Sequence, residues 1–312
     1  MHSSDHDNSP TLRDDDPRRS LDDLISRAIA YHSAPELVEL LEFNRRFPYL
    51  APYNAMLLHM QNPGIRFALR APQWERGYRR RIKPGARPYV ILRTMGPVAF
   101  VFDLSDTEPI HPGDDRVPMA AANPFATNGE PPRGTFERMT ECCLKLAVEV
   151  AEQELGTGLA GKVIREPKRQ PPYRVLLNSK HTEAQKLGTL AHELAHVLCG
   201  HLGEDKANSI PGRTDLTQSI EEFEAEAVAF LVTDRLGLDI GSVSYLAGYL
   251  SAQHPIPAYS LDMVLKVAGR IELLMMSGKR PKVEGFLTAV PNRPGLSGAE
   301  MAALDALDGL FD

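Results

Sequence analysis

The stretch Thr189-Leu-Ala-His-Glu-Leu-Ala-His-Val197 decides how the second half of this chain is interpreted. It lies in a longer apolar pattern that predicts a helix from about Thr182 to Cys199. Residues four apart share one face of a helix, so His192 and His196 would point to the same side. Two imidazoles on one face can bind a single metal ion. Glu193 is displaced by one residue, so we expect it to reach a water molecule near the metal without being a ligand.

The His-Glu-x-x-His pattern is specific. With 10 His among 312 residues, random placement gives about 0.02 matches to it. A catalytic zinc ion usually has three protein ligands and keeps a fourth position for water, whose pKa then falls to about 7. Glu193 would accept a proton from that water and pass it to a leaving amine. Tyr173 and His181 are candidates for stabilising the oxyanion because they are near in sequence.

A third metal ligand should lie downstream. One class of zinc proteases places a third histidine ligand six residues after the second one. His201 follows His196 by only five residues, so we expect it at a solvated helix end instead. The helix predicted from Leu216 to Arg235 contains the acidic run Glu221-Glu-Phe-Glu-Ala-Glu226, in which the second and last acids share a face and the other two are offset. A solvated acidic face is the alternative, but a dication would relieve the repulsion of four like charges. Ala225 would let this helix approach closely.

Together the two motifs resemble the ImmA/IrrE-type zinc metallopeptidases, and more closely the C-terminal domain of ArdC-type antirestriction proteins. Those families pair a His-Glu-x-x-His helix with a downstream Glu-x-x-Ala-(acid or Asn) helix whose first Glu is the third zinc ligand. The resemblance implies one Zn²⁺ ion held by His192, His196 and Glu222. It makes Glu226 a supporting residue, and Glu224 the alternative ligand if the register is shifted.

The N-terminal half is similar to the ArdC-type N-terminal domain, which is associated with single-stranded DNA binding. The similarity consists of Asn54-Ala-Met-Leu-Leu-His-Met-Gln61 with Pro63, then Trp74, a basic segment, and Val101-Phe-Asp103. With the metal motif, the resemblance covers residues 35–235 and implies a DNA-associated function.

The basic segment, residues 65–93, is notable without any resemblance. It contains nine Lys and Arg residues against one acid, 9 − 1 = +8, in a chain of net charge −6. Basic side chains neutralise phosphates, and aromatic rings stack on unpaired bases. The candidate DNA-contacting residues are Arg76, Arg79, Arg80, Arg81, Lys83, Trp74 and Tyr78. A solvated basic turn, or a patch that docks on acidic parts of the same chain, is the alternative, and Trp74 alone is better explained as a core anchor.

The expected fold class is α+β. It comprises a small N-terminal α+β domain with a β-hairpin and a mainly helical, zincin-like C-terminal domain with a small sheet. The predicted segments are a disordered tail (1–19), the ArdC-like domain to which we assign single-stranded DNA binding (20–104), a Pro-rich linker (105–134), the metallopeptidase domain (135–290) and an acidic C-terminal tail with a short helix (291–312).

Local patterns predict the main elements of these domains. The hairpin pairs Arg87–Arg93 with Val98–Asp103, and two further strands cover Val163–Glu166 and Tyr173–Asn178. Helices are expected over residues 54–60, 135–155, 242–252 and 259–277.

Composition limits the cellular setting. There are three Cys residues, an odd number, and Cys142 and Cys143 are adjacent, which disfavours a disulfide scaffold and favours a cytoplasmic protein. No apolar stretch approaches the length of a membrane span, so no membrane partner is expected.

Three functions remain open from the sequence. The first is a zinc-dependent endopeptidase that cuts a protein, such as a regulator, in association with DNA. The second is a single-stranded DNA-binding antirestriction or accessory protein in which proteolysis is minor or absent. The third is a regulatory sensor that keeps the fold without cutting, and the intact Glu193 counts against it.

Overall fold

The computed structural model describes residues 34–93, 98–113, 117, 131, 133–238 and 256–275. Over these residues the chain is α+β, which confirms the predicted fold class. The predicted tails at 1–19 and 291–312 and the predicted helix at 242–252 lie outside the described residues. Among the helices described, none is long and apolar enough to cross a membrane.

The N-terminal part combines three helices with two small antiparallel sheets. Its elements in chain order are α1 (Ala34–Arg45), α2 (Pro52–Gln61), β1 (Ala68–Leu69), α3 (Ala71–Tyr78), β2 (Arg80–Ile82), β3 (Tyr89–Leu92), β4 (Val98–Asp103) and β5 (Thr107–Pro109). One sheet has the order β1-β4-β3, and β2 pairs with β5. The predicted hairpin is present as β3 and β4, in the register Tyr89↔Val101 to Leu92↔Val98.

The C-terminal part places helices against a three-stranded sheet. Its elements are α4 (Thr135–Cys143), β6 (Val148–Gln153), β7 (Gly161–Arg165), β8 (Tyr173–Asn178), α5 (Glu183–Leu198), α6 (Gln218–Arg235) and α7 (Leu261–Met275). The sheet order is β6-β8-β7, with β6 parallel and β7 antiparallel to β8. Strand β7 is therefore an edge strand, and it lies beside α5.

The helix predicted over Thr135–Leu155 is wrong in its second half. Helix α4 ends at Cys143, a 3-10 turn follows over Leu144–Leu146, and Ala147 has a φ of 57°. A left-handed residue stops a helix, and the chain then continues as β6. Local periodicity cannot show this strand, because its partner β8 is distant in sequence.

The start of the predicted linker belongs to the N-terminal sheets. Residues Leu104–Asp106 form a 3-10 turn, and β5 follows it directly and pairs with β2. Pro109 does not prevent this pairing. It is the last residue of β5 in a two-stranded sheet, where the N–H that proline lacks is not required. Most of residues 114–132 lie outside the described part of the chain.

Two hydrophobic clusters hold the described residues together. One is aromatic and contains Phe43, Phe67, Trp74 and Tyr78 with the β1-β4-β3 sheet. The other contains α5, α6 and α7 with their sheet, and it also takes in Leu37, Leu40, Leu41, Met56 and Leu57 from α1 and α2. Helices α1 and α2 thus contribute side chains to both clusters and connect them.

Two amides of α2 close the outer edge of β3. The Asn54 side chain donates to Leu92 O (3.1 Å) and accepts from Leu92 N (2.9 Å). The Gln61 side chain does the same with Val90 (2.8 Å for both bonds). These are two of the residues behind the N-terminal resemblance, and in the structure each replaces a neighbouring strand at one backbone position.

Asp103 ties β4 to the segment before β1. One carboxylate oxygen accepts from Arg66 N (2.8 Å) and Phe67 N (3.0 Å), and the other from Ser105 N (3.0 Å) and Ser105 Oγ (2.6 Å). Burial raises the pKa of Asp103, but these hydrogen bonds outweigh burial and hold the pKa below its ordinary value.

We expect Asp103→Ala to lower the free energy of unfolding by about 1–3 kcal/mol, because three backbone N–H groups lose their acceptor. The folded-state pKa lies below the unfolded one, so this stabilisation is present above the unfolded pKa and is lost as pH falls through the folded value. Urea unfolding of both proteins from neutral to acidic pH measures this. A difference that stays constant down to about pH 2 would contradict the assignment.

Candidate metal centre

Helices α5 and α6 position the candidate ligands. Helix α5 begins after Thr182, whose Oγ1 accepts from Gln185 N (3.3 Å) while Gln185 Oε1 accepts from Thr182 N (3.0 Å). This reciprocal capping satisfies two backbone donors at the helix start. The two helices pack closely along their length, and Ala195 and Ala225 are fully buried. The complete burial of the small Ala225 side chain agrees with the close approach that the sequence predicts.

Three predicted ligands meet at one point between these helices. The Nε2 atoms of His192 and His196 are 3.2 Å apart, and Glu222 Oε2 is 3.5 Å from the first and 3.8 Å from the second. Ligands at about 2.0–2.1 Å from a tetrahedral zinc ion are separated by about 3.4 Å. The triangle formed by these atoms therefore fits one such ion.

The charges around this triangle favour a cation. Burial lowers the pKa of His192, but hydrogen bonds to Glu222 and Glu226 outweigh it and raise the pKa to about 9. Burial and the neighbouring His192 lower the pKa of His196 to about 4. Glu226 Oε2 lies 3.2 Å from His192 Nδ1, on the ring edge away from the triangle. Glu226 thus orients His192 without joining the three donor atoms.

Glu193 lines the same cleft as the three donor groups. Its side chain is largely buried, and burial raises its pKa, while the backbone N–H of Val163 on β7 lowers it by hydrogen bonding. The cleft has a volume of about 1030 Å³, and β7 and α5 form its walls together with the start of α6. The predicted base therefore lies between the edge strand and the candidate ligands.

Glu224 is not an alternative ligand in the structure. It is fully buried, and its oxygens accept from Arg213 (2.6 and 2.7 Å) and from Ser260 N (2.8 Å). Residues two apart on a helix point about 200° apart, so Glu224 faces away when Glu222 faces the cleft. The prediction of a solvated His201 is also wrong: His201 is buried between His196 and Glu224.

Gly200 allows the chain to turn back beneath the site. It has a φ of 81°, and a Cβ here would overlap Pro211 O. Gly200 O also accepts from Arg213 N (3.0 Å), which closes the loop. The side chain of Arg165 on β7 holds the same loop by donating to Leu202 O (2.6 Å) and Glu204 O (2.7 Å).

The structure separates the candidate DNA-contacting residues into two groups. Trp74 and Tyr78 are buried in the aromatic core, so neither ring offers a face for base stacking. Trp74 is the core anchor that the sequence favours. Arg80 is also buried, with its guanidinium bonded to Thr107 Oγ1 (2.7 Å) and Thr107 O (3.0 Å). Structural roles therefore account for these three residues.

The remaining basic candidates are exposed. Arg81 pairs with Glu108 at 2.7 Å, and Lys83 donates to Ser105 O at 2.8 Å. Arg76 and Arg79 are exposed and form no ion pair with a described residue, and the same holds for Arg87 in the following loop. An exposed positive surface thus survives without the predicted aromatic rings.

The two oxyanion candidates differ in position. Tyr173 is buried under the guanidinium of Arg165, which lies 5.6 Å from its ring centre, so it does not reach the cleft. His181 lines the cleft. Local sequence could not distinguish them, because the face of the sheet to which a strand residue such as Tyr173 points depends on how the strands pair.

Comparison with known families concerns the segment that carries this centre. Residues 145–240 match the family model Peptidase_M78, the IrrE N-terminal-like domain. The match includes β6 to α6 and hence all four residues of the candidate centre. It covers about a third of the chain and confirms the resemblance to the IrrE-type group over this segment. A search of the curated proteins found no match.

Two solved structures are similar to the chain, both of the antirestriction protein ArdC from the R388 plasmid. The metal-free structure has 14% sequence identity and a TM-score of 0.35, and the match covers 73% of this chain and 85% of that one. The Mn(II)-bound structure has 14% identity and a TM-score of 0.39, with 85% and 98% covered.

We expect Gly200→Ala to destabilise the protein by at least about 1 kcal/mol, because the new methyl group meets backbone atoms of Pro211 at a positive φ. The matched control is Gly85→Ala, which has the same sign of φ (80°) but nothing within 4 Å of the added Cβ. Comparing the thermal unfolding of the two variants separates the effect of the overlap with Pro211 from the cost of a positive φ. Equal destabilisation of the two variants would show that the overlap with Pro211 is unimportant.

Proposed function

We propose that this protein is a zinc-dependent peptidase of the IrrE and ArdC type, and that Glu193 is its general base. The observation that carries the proposal is the triangle of donor atoms from His192, His196 and Glu222, with edges of 3.2, 3.5 and 3.8 Å. The family match to the segment containing these residues supports it.

The donor set fits zinc in chemistry as well as in spacing. Two imidazole nitrogens and one carboxylate oxygen are common zinc ligands, and three protein ligands leave a position open. The side chain of Glu222 is 43% exposed, so this position is open to the cleft. When bound, Zn²⁺ supplies a Lewis acid that polarises a carbonyl group and lowers the pKa of water.

Glu193 has the position and environment of a general base. Burial raises the pKa of its carboxyl group, which brings it closer to the working range of a proton shuttle. In the proposed reaction, Glu193 accepts a proton from water as the oxygen attacks the peptide carbonyl carbon. It then gives this proton to the amide nitrogen as the C–N bond breaks, so protons balance over one cycle.

Strand β7 offers a way to hold an extended peptide beside Glu193. Asn178 N donates to Ala160 O (2.8 Å) and Glu166 N to Pro172 O (2.7 Å), so the even-numbered residues of this strand face β8. Backbone groups of Gly161, Val163 and Arg165 then point to the opposite edge. The Val163 N–H is bonded to Glu193 there, so the groups offered to a peptide are those of Gly161 and Arg165 and the Val163 carbonyl. No strand within the described ranges pairs with that edge. An added peptide strand is a recurring mode of recognition at such edges.

We expect Glu193→Gln to lower peptidase activity by at least about 100-fold, because the amide cannot carry the proton. Metal content measured by plasma mass spectrometry should remain at one ion per chain, since Glu193 is not a ligand. Activity is measured on a proteome-derived peptide library, with cleavage read by mass spectrometry.

Glu221→Gln is the matched control for this change. It removes the same charge from the same cleft, and Glu221 contacts neither the donor atoms nor a described cation. Its activity should stay close to that of the wild type. Undiminished cleavage by Glu193→Gln would refute the mechanism, and an equal decrease in both variants would show a general effect of charge.

A second candidate function is binding of single-stranded DNA, as an antirestriction or accessory protein in which proteolysis is minor or absent. The exposed arginines of residues 65–93 favour it, because phosphate binding needs accessible positive charge. The burial of Trp74 and Tyr78 removes the stacking part of this hypothesis. Affinity would then depend on charge and fall steeply with salt.

Replacing Arg76, Arg79 and Arg87 together by Gln tests this candidate. If the three bind phosphates, the plot of log affinity against log salt should become shallower by about 0.7 for each phosphate that is no longer neutralised. Fluorescence anisotropy with a labelled oligothymidylate measures the slope. Replacing Lys145, Lys168 and Lys180, which are exposed on the other half, makes the same charge change as a control. A slope that changes equally in both triple variants would show that no local site exists.

A further inference from the structure

A buried chain of polar side chains lies behind His196. His196 Nδ1 is 3.0 Å from His201 Nδ1, and His201 Nε2 is 3.0 Å from Glu224 Oε2. Arg213 completes the chain with two hydrogen bonds to Glu224, of 2.6 and 2.7 Å. The side chains of His201 and Glu224 are almost completely inaccessible to solvent, at 1% and 0% exposure. Water therefore does not replace these contacts.

The donors and acceptors of this chain determine where its protons lie. Glu224 accepts from Arg213 and from Ser260 N, and a carboxylate can only accept, so His201 must donate from Nε2. Arg213 already balances the charge of the Glu224 carboxylate, so we assign His201 as a neutral imidazole, which has one N–H, and its Nδ1 is then an acceptor. The 3.0 Å contact between the two rings consequently requires the proton of His196 on its Nδ1.

This arrangement leaves the lone pair of His196 on Nε2. That atom is the one that faces His192 Nε2 and Glu222 Oε2, at 3.2 and 3.8 Å. A histidine can bind a metal ion only through a nitrogen that carries no proton. The buried chain thus selects the tautomer of His196 that the candidate centre needs.

A second metal site at Cys199, His201 and Glu224 is the competing interpretation. Their ligand atoms lie within 4.8 Å of one another. However, Arg213 bonds to both oxygens of Glu224, and a dication placed there would face its guanidinium group. His201 Nδ1 is also already in contact with His196. These polar groups are satisfied by hydrogen bonds, and the Cys199 thiol takes no part in them; only the backbone oxygen of Cys199 does, by accepting from Arg213 Nη1 (3.3 Å).

We propose that His201, held by Glu224 and Arg213, is a positioning residue that fixes His196 in the Nδ1–H tautomer and directs its Nε2 lone pair at the metal position. This rests on the metal centre proposed above. Glu226 serves His192 in a similar way from the other side, through its 3.2 Å contact with Nδ1. Such outer contacts set the orientation of metal-binding histidines.

Nuclear magnetic resonance of the metal-free protein tests the tautomer directly. Long-range ¹H–¹⁵N spectra distinguish Nδ1–H from Nε2–H, and a His196→Asn variant assigns the signals. We expect Nδ1–H at His196 in the wild type and a mixture of tautomers in His201→Phe, which keeps a ring but has no acceptor. An Nε2–H tautomer in the wild type, or an unchanged tautomer in His201→Phe, would overturn the proposal.

Zn²⁺ titration against a chromophoric chelator tests the consequence for binding. His201→Phe should weaken zinc affinity on the order of 10- to 100-fold, and His201→Gln, whose carbonyl can accept from His196, should restore part of the affinity. Cys199→Ala is the matched control, because the Cys199 thiol is buried beside the chain but outside its hydrogen bonds, and the substitution keeps the backbone oxygen that accepts from Arg213. Equal weakening by Cys199→Ala and His201→Phe would overturn the proposal in favour of packing or a second metal site.

The two measurements separate this proposal from the proposed function. Nδ1–H in a wild-type protein that binds no zinc would contradict the metal centre and support the tautomer assignment. Zinc bound with wild-type affinity by a folded His201→Phe protein would contradict the positioning role and leave the metal centre intact. Circular dichroism of each metal-free variant establishes that it is folded.

Discussion

The buried guanidinium of Arg235 holds the described parts of the molecule together. It lies at the end of α6 and pairs with Glu272 on α7. Its other hydrogen bonds go to backbone carbonyls in the last turn of α1 and in the loop that leads to α2, namely Asn44 O, Phe47 O, Pro48 O and Leu50 O. A buried charge without such partners would be very costly. Because α6 also carries Glu222, the placement of that donor depends on contacts made more than three helical turns away.

Local periodicity was sufficient to predict much of the candidate metal centre. The spacing of His192 and His196 on a helix determines that their rings share a face, whatever the rest of the fold. Glu222 could be assigned only through the resemblance, because helical geometry alone left several acids open. The strands of the β3–β4 hairpin were also predictable, since both partners are adjacent in sequence and rich in β-forming residues.

The features that sequence could not show all depend on contacts between distant residues. Strand β6 has a pattern compatible with a helix, and only its pairing with β8 makes it a strand. Trp74 and Tyr78 interrupt a basic segment, and their burial follows from packing on Phe67. His201 has a sequence position typical of an exposed helix end, and the loop that turns back at Gly200 encloses it.

The sharp turn at Gly200 also restricts which residue can occupy this position. A side chain at this position would overlap the backbone of Pro211, two residues before the arginine that bonds to Glu224. Gly200 is therefore structurally coupled to His201, Arg213 and Glu224, the outer members of the buried hydrogen-bond chain.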